Sequence, residues 1–319
     1  MPGVADMIAD AVVRPRPASG HSIITIDGQP VFVKRGAPAA LAREAGMLRH
    51  LQRVRGDLQP LAPVALAFDG CTGPLYVEGL LGWRTLHELF TEHDDEELEH
   101  ARWLGARLAE LHTLDHAGSP PALDHVPRLE LGPLQMADLC GETLALIGHL
   151  QRMPGLHHEL ARLRASSPER TLVHGDAKLD NVLCGEGDRM VLVDFEHGGI
   201  GDPAWDVGAP VGDYLSRWLL SVRCSRGEAL GTWLGRAEVP VARCAAAGRE
   251  LLAGYRAVRP LPDIDRVAAS AGIFLLHRAQ AWIERYGRFG AKATLLARCG
   301  GGLVAARRRG LDRLLEQAR

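Results

Sequence analysis

Asp176, Asn181 and Asp194 are the residues whose types and spacing could carry out chemistry in this chain. Amide and carboxylate oxygens suit Mg²⁺, which favours a few protein ligands together with phosphate oxygens and water. A carboxylate beside such a metal can accept the proton of an attacking hydroxyl group. The three residues therefore predict phosphoryl transfer, with Asp176 as the base and with Asn181 and Asp194 as the metal ligands.

The elements that must position these residues are two short apolar runs, residues 182–184 and 190–193, on either side of a Gly-containing turn. Such a pattern predicts a β-hairpin. Asn181 precedes the first strand and Asp194 follows the second, and antiparallel strands bring those two ends together. We therefore expect the amide and the carboxylate to meet at one point, with Asp176 on the loop that leads into the hairpin.

The same stretch contains the motifs HGDxxxxN at residues 174–181, DFE at 194–196 and GDPxxD at 201–206. Together, at this separation, they resemble the motifs of the aminoglycoside phosphotransferase and choline kinase family, which is related to the protein kinases. The resemblance covers most of residues 20–208 and fades after that. It implies a two-lobed α+β protein-kinase-like fold. It also implies an enzyme that transfers the γ-phosphoryl group of ATP to a hydroxyl group with the help of Mg²⁺.

The resemblance also implies a division of the chain into residues 1–81 and residues 82–319. The first part is expected to be a nucleotide-binding lobe, a small antiparallel sheet with one helix, which ends in a hinge. The second is expected to be a larger, mainly helical lobe with the catalytic loop, the metal site and the acceptor pocket. Apolar periodicity in its last third predicts helices at about residues 211–224, 240–257, 263–286 and 291–318.

Lys34 and Glu44 are the candidates for holding the phosphates. Residues 20–35 predict a hairpin whose second strand ends at Lys34, and Pro38 opens a helix with an apolar stripe beside Glu44. The resembling family places its phosphate-binding lysine on such a strand, and the protein kinases pair that lysine with a helix glutamate. An ordinary edge lysine and a solvated acid on the helix face are the alternatives.

Four further residues are candidates for the site, Lys178 by its position between Asp176 and Asn181 and the others by the resemblance. Glu78 and Leu80, at the end of a strand predicted over 74–80, would present main-chain groups to the adenine edge in a hinge, the alternative being a plain strand end. Lys178 either contacts the transferring phosphate as part of the catalytic set or is simply solvated. His174 is expected to organise the catalytic loop, although the ordinary pKa of histidine also allows a general base.

The composition favours a soluble globular protein, because 46% of the residues are hydrophobic and no run of eighteen apolar residues predicts a membrane span. The six cysteines are far apart and form no CxxC pair, which argues against zinc and against a redox motif. Reduced cysteines and an N-terminus without a signal-peptide pattern predict a cytoplasmic protein. The proline-rich residues 117–137 are expected to form a surface connection.

The charge is unevenly distributed, because the net charge is −2 but residues 209–319 carry 19 Lys and Arg against 9 Asp and Glu. Such a balance disfavours a polycationic aminoglycoside as the acceptor. We expect instead a neutral or anionic hydroxyl-bearing small molecule, or Ser/Thr of a precursor peptide, with a protein partner from that biosynthetic pathway. The run Arg307–Arg309 suggests nucleic-acid binding, but a whole-chain pI near 6.7 and the lack of a recognised motif favour an exposed helix face and no nucleic-acid partner. The alternative function is a nucleotide-binding pseudokinase that acts as a partner subunit.

Overall fold

The structure, a computed structural model, divides into two compact units. The sheet unit comprises residues 1–94, 110–123 and 170–201, and the helical unit comprises residues 95–109, 124–169 and 202–319. The predicted lobes, 1–81 and 82–319, are a different division of the chain and remain a prediction. The residues that the structure describes are 14–15, 21–55, 61–68, 70, 73–92, 96–166, 168–187, 189–224 and 230–316.

The sheet unit is built on a five-stranded antiparallel sheet. Its strands are β1 Arg14–Pro15, β2 Ser22–Ile26, β3 Gln29–Lys34, β4 Ala65–Phe68 and β5 Leu75–Glu78, in the order β1-β2-β3-β5-β4. The β2–β3 hairpin forms at Asp27 and Gly28, which take the left-handed backbone that a two-residue turn requires, with φ of 50° and 76°. Val31 and Val33 pack with Tyr76 into one apolar cluster on this sheet.

Helix α1, Pro38–Arg55, follows strand β3. Leu41, Leu48 and Leu51 recur at helical spacing and are buried, so they form the apolar face that fixes the helix. Glu44 lies beside this face and is only 4% exposed. A carboxylate is almost never buried to that degree without a partner, so the position of Glu44 points to a buried cation.

A second group of short elements in the sheet unit carries the HGDxxxxN and DFE motifs. These are β6 Arg84–Thr85, α2 Leu86–Thr91, β7 Thr171–Val173, β8 Val182–Cys184, β9 Met190–Leu192 and β10 Gly199–Gly201. Strands β8 and β9 form the predicted hairpin, with Val182 opposite Leu192. Strand β7 precedes the HGD motif and pairs with β10, which follows the DFE motif. The two motifs are therefore held by neighbouring strands.

The rest of the chain is mainly helical. Its helices are α3 Glu97–Thr113, α4 Pro133–Ala137, α5 Gly141–Gln151, α6 Leu156–Ala165, α7 Pro203–Ser221, α8 Leu230–Leu234, α9 Val241–Val258, α10 Ile264–Tyr286, α11 Ala291–Ala306 and α12 Arg308–Glu316. A small antiparallel sheet near the N-terminus and a larger helical remainder confirm the predicted α+β, protein-kinase-like fold class.

Helix α7 begins earlier than predicted, at Pro203 instead of near residue 211. The side chain of Asp202 accepts the N–H of Ala204 at 2.9 Å and so caps the helix. Proline is well suited to the first position of a helix, because its missing N–H would have had no partner there. The DP pair of the GDPxxD motif is thus a helix start.

The helix predicted over residues 291–318 is two helices, because the chain turns at Arg307. The φ of Arg307 is 52°, which is the left-handed region and ends α11. The guanidinium of Arg307 is bound to Glu159, with Nε 2.8 Å from the carboxylate oxygen Oε2. Periodicity does not reveal such a break, because the apolar residues on both sides keep a helical pattern.

Residues 117–137 are more than the surface connection that their prolines predict. Pro121 forms a parallel bridge with Ile200 of β10, and the N–H of Ala122 donates to the carbonyl oxygen of Ile200 at 3.0 Å. The N–H of Ile200 donates in turn to the carbonyl oxygen of Pro120 at 2.7 Å. A proline cannot donate but can still accept, so this part of the segment extends the small β7–β10 sheet.

No helix in the described part of the chain is long and apolar enough to cross a lipid bilayer. The cysteines that the structure describes, five of the six, are free thiols. Cys71 lies outside the described residues.

Helices α3 and α9 cross at glycines within the helical unit, where a Cβ added at Gly105 would overlap the carbonyl oxygen of Leu251. We expect Gly105→Ala to lower the free energy of unfolding by about 2 kcal/mol, because the helices must move apart to admit the methyl group. Gly302 in α11 has nothing within 4 Å of its missing Cβ, so Gly302→Ala should stabilise by up to about 1 kcal/mol. The urea unfolding midpoints of the two variants measure these changes. Equal shifts of the midpoint in Gly105→Ala and Gly302→Ala would contradict this packing.

Candidate active site

Strands β8 and β9 bring Asn181 and Asp194 together, as the sequence predicts. The N–H of Val193 donates to the carbonyl oxygen of Asn181 at 2.9 Å, which extends the hairpin ladder beyond its strands. Asp194 is the next residue, and its backbone lies in the left-handed region, with φ 71° and ψ 59°. A residue other than glycine rarely takes this conformation, and such exceptions cluster at functional sites.

The side-chain amide of Asn181 has a defined orientation. Its Nδ2 donates to the main-chain carbonyl oxygen and to the carboxylate Oδ2 of Asp176, both at 2.9 Å. Since both partners can only accept, the amide nitrogen must face Asp176. The amide oxygen Oδ1 faces the other way and accepts no hydrogen bond from the residues that the structure describes. It is therefore available to a cation.

Asp176 and Lys178 form an ion pair on the loop between β7 and β8. Lys178 Nζ donates to Asp176 Oδ2 at 2.5 Å. The same oxygen accepts from Asn181, whereas Oδ1 of Asp176 accepts no hydrogen bond within the described part of the chain. One carboxylate oxygen is thus held and the other is available to a hydroxyl group. Lys178 is therefore paired with Asp176, the predicted base, and is not simply solvated.

His174 is placed as an organiser of the loop. It is fully buried, its Nδ1 accepts the N–H of Asp176 at 3.1 Å, and its Nε2 donates to the carbonyl oxygen of Val193 at 2.9 Å. These partners define a neutral imidazole with its proton on Nε2. Because both ring nitrogens are used to connect the HGD loop with the end of β9, this geometry supports the organising role over a general base.

Gly175, between the histidine and the aspartate of the HGD motif, cannot be replaced without strain. Its φ is 82°, and a Cβ at this position would lie 2.5 Å from the main-chain oxygen of His197. Only glycine tolerates both the positive φ and the close approach. The glycine therefore lets the HGD loop pack directly against the residues that follow the DFE motif.

Lys34 is surrounded by three carboxylates that come from two distant parts of the sequence. Its Nζ lies 2.6 Å from Glu44 Oε2 and 3.8 Å from Glu196 Oε2, and it donates a hydrogen bond to Asp194 Oδ1. The side chains of Lys34 and Glu44 are 13% and 5% exposed. The structure thus forms the predicted Lys34–Glu44 pair and joins it to one of the predicted metal ligands.

The charges of this group follow from burial and from the pairing. Burial alone would lower the pKa of Lys34, but the carboxylates of Glu44 and Asp194 outweigh it and raise that pKa. Burial raises the pKa of Glu44, and the attraction of Lys34 only partly opposes this. Burial would also raise the pKa of Asp194, but Lys34 outweighs it and lowers the value. Lys34 is therefore cationic and Asp194 anionic at neutral pH.

Glu196, the last residue of the DFE motif, is a site residue that the sequence prediction leaves out. Its carboxylate Oε1 lies 3.8 Å from His197 Nε2, while Oε2 faces Lys34. The side chain is 34% exposed, so it is open to solvent or a ligand. The signal that could have identified it is a second carboxylate two residues after Asp194, on the short 3₁₀ turn Phe195–His197.

The predicted hinge lies at the end of strand β5. The N–H of Glu78 donates to the carbonyl oxygen of Val64, and the N–H of Gly79 donates to that of Pro30, both at 2.9 Å. The sheet therefore uses both groups. Leu80 follows, and its main-chain N–H makes no hydrogen bond to the described residues. Of the two predicted hinge residues, Leu80 and not Glu78 has an N–H to offer to a ligand.

The donor set at the end of the hairpin fits magnesium. The described residues contain no cluster of three or more His, Cys, Asp or Glu that could hold a metal by themselves. A cation here would instead have the amide oxygen of Asn181 and the carboxylate of Asp194, which is 29% exposed. Mg²⁺ commonly takes one or two such protein groups and completes its shell with substrate phosphates and water.

A kinase-like sheet that carries a buried lysine–glutamate pair, together with the carboxylates of Asp176 and Asp194 and the amide of Asn181, is the arrangement expected of a phosphotransferase. The comparison with protein families agrees with this class. The chain belongs to the phosphotransferase enzyme family (APH), whose model matches residues 22–261. None of the curated proteins compared with the chain matches it by sequence.

The similarity to solved structures of the same fold extends over almost the whole chain. A choline/ethanolamine kinase family protein from Mesorhizobium loti is 15% identical, with a TM-score of 0.56 and coverage of 98% of this chain and 97% of the other. A putative aminoglycoside phosphotransferase from Ralstonia eutropha is 16% identical, with a TM-score of 0.54 and coverage of 97% and 93%. A thermostable mutant of aminoglycoside phosphotransferase APH(4)-Ia, with AMP-PNP and hygromycin B, is 14% identical, with a TM-score of 0.57 and coverage of 93% of each chain.

The ion group around Lys34 predicts how stability depends on pH. Lys34→Met leaves the carboxylates of Glu44 and Asp194 without their cation, so we expect a loss of about 3 kcal/mol in the free energy of unfolding at pH 7. In the variant, burial raises the pKa of both carboxylates with no lysine to oppose it, so they take up protons as the pH falls towards about 4. Asp194 of the parent, whose pKa is lowered, stays ionised over the same range, so the loss should shrink there.

Arg35→Met is the matched control, because the guanidinium of Arg35 binds the Ser22 hydroxyl and not a carboxylate. Thermal or urea unfolding of both variants at several pH values measures the difference. A cost of Lys34→Met that is the same at pH 7 and at pH 4.5 would show that Lys34 does not hold these carboxylates in their ionised form.

Proposed function

We propose that this protein transfers the γ-phosphoryl group of a nucleoside triphosphate, in the first instance ATP, to a hydroxyl group. The observation that carries the proposal is the arrangement of Lys34, Asp176, Asn181 and Asp194 within a single compact unit. Phosphoryl transfer needs little covalent chemistry from the protein. It requires positioned reactants and stabilised charge, and these four residues are suited to both.

Asn181 and Asp194 are proposed to hold Mg²⁺ through the oxygens that their own hydrogen bonds leave open. When bound, the metal would neutralise charge on the phosphates. The contribution of the chain is to fix the two ligands relative to each other. The Val193 to Asn181 hydrogen bond and the two bonds from the Asn181 amide to Asp176 achieve this.

Asp176 is proposed to orient the acceptor hydroxyl and take its proton. Its Oδ2 is held by Lys178 and Asn181, so the other oxygen, Oδ1, is the one that can accept from a hydroxyl. Lys178 places a positive charge on the same carboxylate and is close enough to interact with a phosphoryl group that approaches Asp176. Its proposed role is therefore electrostatic.

Lys34 is proposed to bind the nucleotide phosphates and Glu44 to orient it. Glu44 is buried on helix α1 and can hold the ammonium group from one side while phosphate oxygens replace Asp194 on the other. The open N–H of Leu80 is the proposed donor to the nucleotide base, with the carbonyl group of Glu78 beside it in the hinge. Residues 16–20, which end at Gly20 and where the resembling family has a variable loop over the phosphates, lie outside the described residues.

The pseudokinase alternative has no observation in its favour. A nucleotide-binding subunit without activity would have no need for a carboxylate like that of Asp176, with one oxygen held and the other open. The fold relative that was crystallised with AMP-PNP and hygromycin B also combines a nucleotide analogue with a second small molecule. That combination supports an acceptor of small size.

The net positive charge of the helical unit is smaller than that of residues 209–319 alone. The helical unit as a whole carries 25 Lys and Arg against 21 Asp and Glu, because acids that precede residue 209 fold into the same unit. Several arginines of the last third pair with them: Arg243 with Glu97, Arg259 with Glu169, Arg266 with Asp202 and Arg307 with Glu159. A modest positive balance remains, and it favours a neutral or anionic hydroxyl compound.

The proposed metal ligand can be tested with Asp194→Asn. We expect this variant to lose about a hundredfold or more in Mg²⁺-dependent phosphoryl transfer while it remains folded, because the lost carboxylate neutralises charge that develops in the transition state. Asp27→Asn is the control, since it removes an exposed carboxylate from the same unit at a turn that tolerates asparagine. Activity of Asp194→Asn within tenfold of the parent, at unchanged magnesium dependence, would refute the assignment.

The acceptor class can be tested by offering labelled ATP with kanamycin-type amines, neutral polyols, small amino alcohols and Ser/Thr peptides in parallel. We expect a neutral or anionic acceptor to be turned over more efficiently than the polycationic amines, by about tenfold or more at low salt, because the positive balance of the helical unit repels added positive charge. Efficient turnover of the amines alone would mean that local acidic groups determine the specificity.

A further inference from the structure

Helix α1, which carries Glu44, is attached to a neighbouring segment, residues 115–123, that we call the strap. At one end of the strap, the carbonyl oxygen of Asp115 accepts a hydrogen bond from His50 Nε2 at 2.6 Å. His50 is 5% exposed, so this bond is shielded from water. The helix therefore has a fixed point of contact near its C-terminal end.

Arg43 supplies the second contact, one residue before Glu44 and seven residues before His50. Its guanidinium nitrogen Nη1 donates to the carbonyl oxygen of Pro121 at 2.7 Å and lies 3.4 Å from the carbonyl oxygen of Gly198. Seven residues are close to two helical turns, so Arg43 and His50 project from the same face of α1. Both contacts end on main-chain oxygens, which cannot rotate away as side chains do.

The strap is itself bound to the residues that follow Asp194. The N–H of Leu123 donates to the carbonyl oxygen of His197 at 3.4 Å, and Pro120 and Ala122 exchange hydrogen bonds with Ile200. Arg43 therefore contacts both sides of this junction, because Pro121 belongs to the strap and Gly198 to the segment after the DFE motif. Its Nη1 carries two N–H groups, so this one nitrogen can donate to both oxygens.

We propose that Arg43 is a positioning residue that sets the distance between Glu44 and Asp194, and thereby the place of Lys34. This inference rests on the proposed function of Lys34 and Glu44 in binding the nucleotide phosphates. Glu44 can hold Lys34 in a useful position only if helix α1 keeps a constant relation to the metal-binding turn. Arg43 fixes that relation at the residue next to Glu44, within the same sheet unit.

The alternative is that Arg43 adds only general stability. The two roles differ in how Arg43 couples to Glu44. If Arg43 acts through Glu44, its loss should matter little once Glu44 can no longer hold Lys34. A merely structural residue would instead cost the same in either background, because effects of independent sites add.

The test is a double-mutant cycle of Arg43→Ala and Glu44→Gln, read out by calorimetric titration with AMP-PNP in the presence and absence of Mg²⁺. Arg43→Ala alone should weaken the binding of Mg²⁺–AMP-PNP by about tenfold, which is typical for loss of a charged hydrogen bond. In the Glu44→Gln background, the same change should cost less than about twofold. Arg43→Lys, which keeps the charge and can reach one carbonyl oxygen, should recover part of the affinity.

Arg49→Ala is the matched control, because Arg49 lies on the exposed face of α1 and makes no hydrogen bond to the described residues. It should leave affinity unchanged. Equal losses from Arg43→Ala in both backgrounds, or no loss in either, would overturn the proposal.

Hydrogen–deuterium exchange separates a failure of this inference from a failure of the proposed function, because it needs no nucleotide. Arg43→Ala should speed exchange in the 38–55 helix and in residues 119–123, and Arg49→Ala should not. If the parent protein binds no Mg²⁺–AMP-PNP but the exchange difference is present, the proposed function fails and the attachment stands. Unchanged exchange in Arg43→Ala would overturn the attachment, whatever the nucleotide result.

Discussion

The site depends on one buried ammonium group and the carboxylates around it. Lys34 reaches Glu44 on helix α1 and both Asp194 and Glu196 on the turn after β9, so a single charge connects the N-terminal sheet, its helix and the catalytic hairpin. A buried cation of this kind requires its partners, and the partners require the cation. The same requirement allows the partners to be exchanged. In the proposed function, phosphate oxygens replace Asp194 as the partner of Lys34, and a metal ion replaces Lys34 as the partner of Asp194.

The meeting of Asn181 and Asp194 could be predicted because it follows from local geometry. A hairpin with Asn181 before it and Asp194 after it must bring both together, whatever the rest of the fold does. The pairing of Lys34 with Glu44 is not local, and the resemblance to a kinase-like family, rather than any periodicity, indicated it. The same resemblance pointed to the α+β fold, which the structure and the match of residues 22–261 to the phosphotransferase family now confirm.

Other features could not be predicted from the sequence, for physical reasons that differ. Arg43 has no signal, because its partners are main-chain oxygens of residues that are distant in sequence and whose identity does not matter. The break at Arg307 is a backbone conformation that apolar spacing does not encode. The charge of the helical unit was overestimated, because acids from earlier in the chain fold beside the arginines of the last third.

A crystal structure with AMP-PNP and Mg²⁺ tests the central claim most directly. The account predicts a magnesium ion bound by Asn181 Oδ1 and the Asp194 carboxylate, with Lys34 still on Glu44 but moved from Asp194 to a phosphate oxygen. The coordination shell of the magnesium ion would be completed by phosphate oxygens and water. A metal ion bound without either residue, or a nucleotide bound while Lys34 remains on Asp194, would contradict the account.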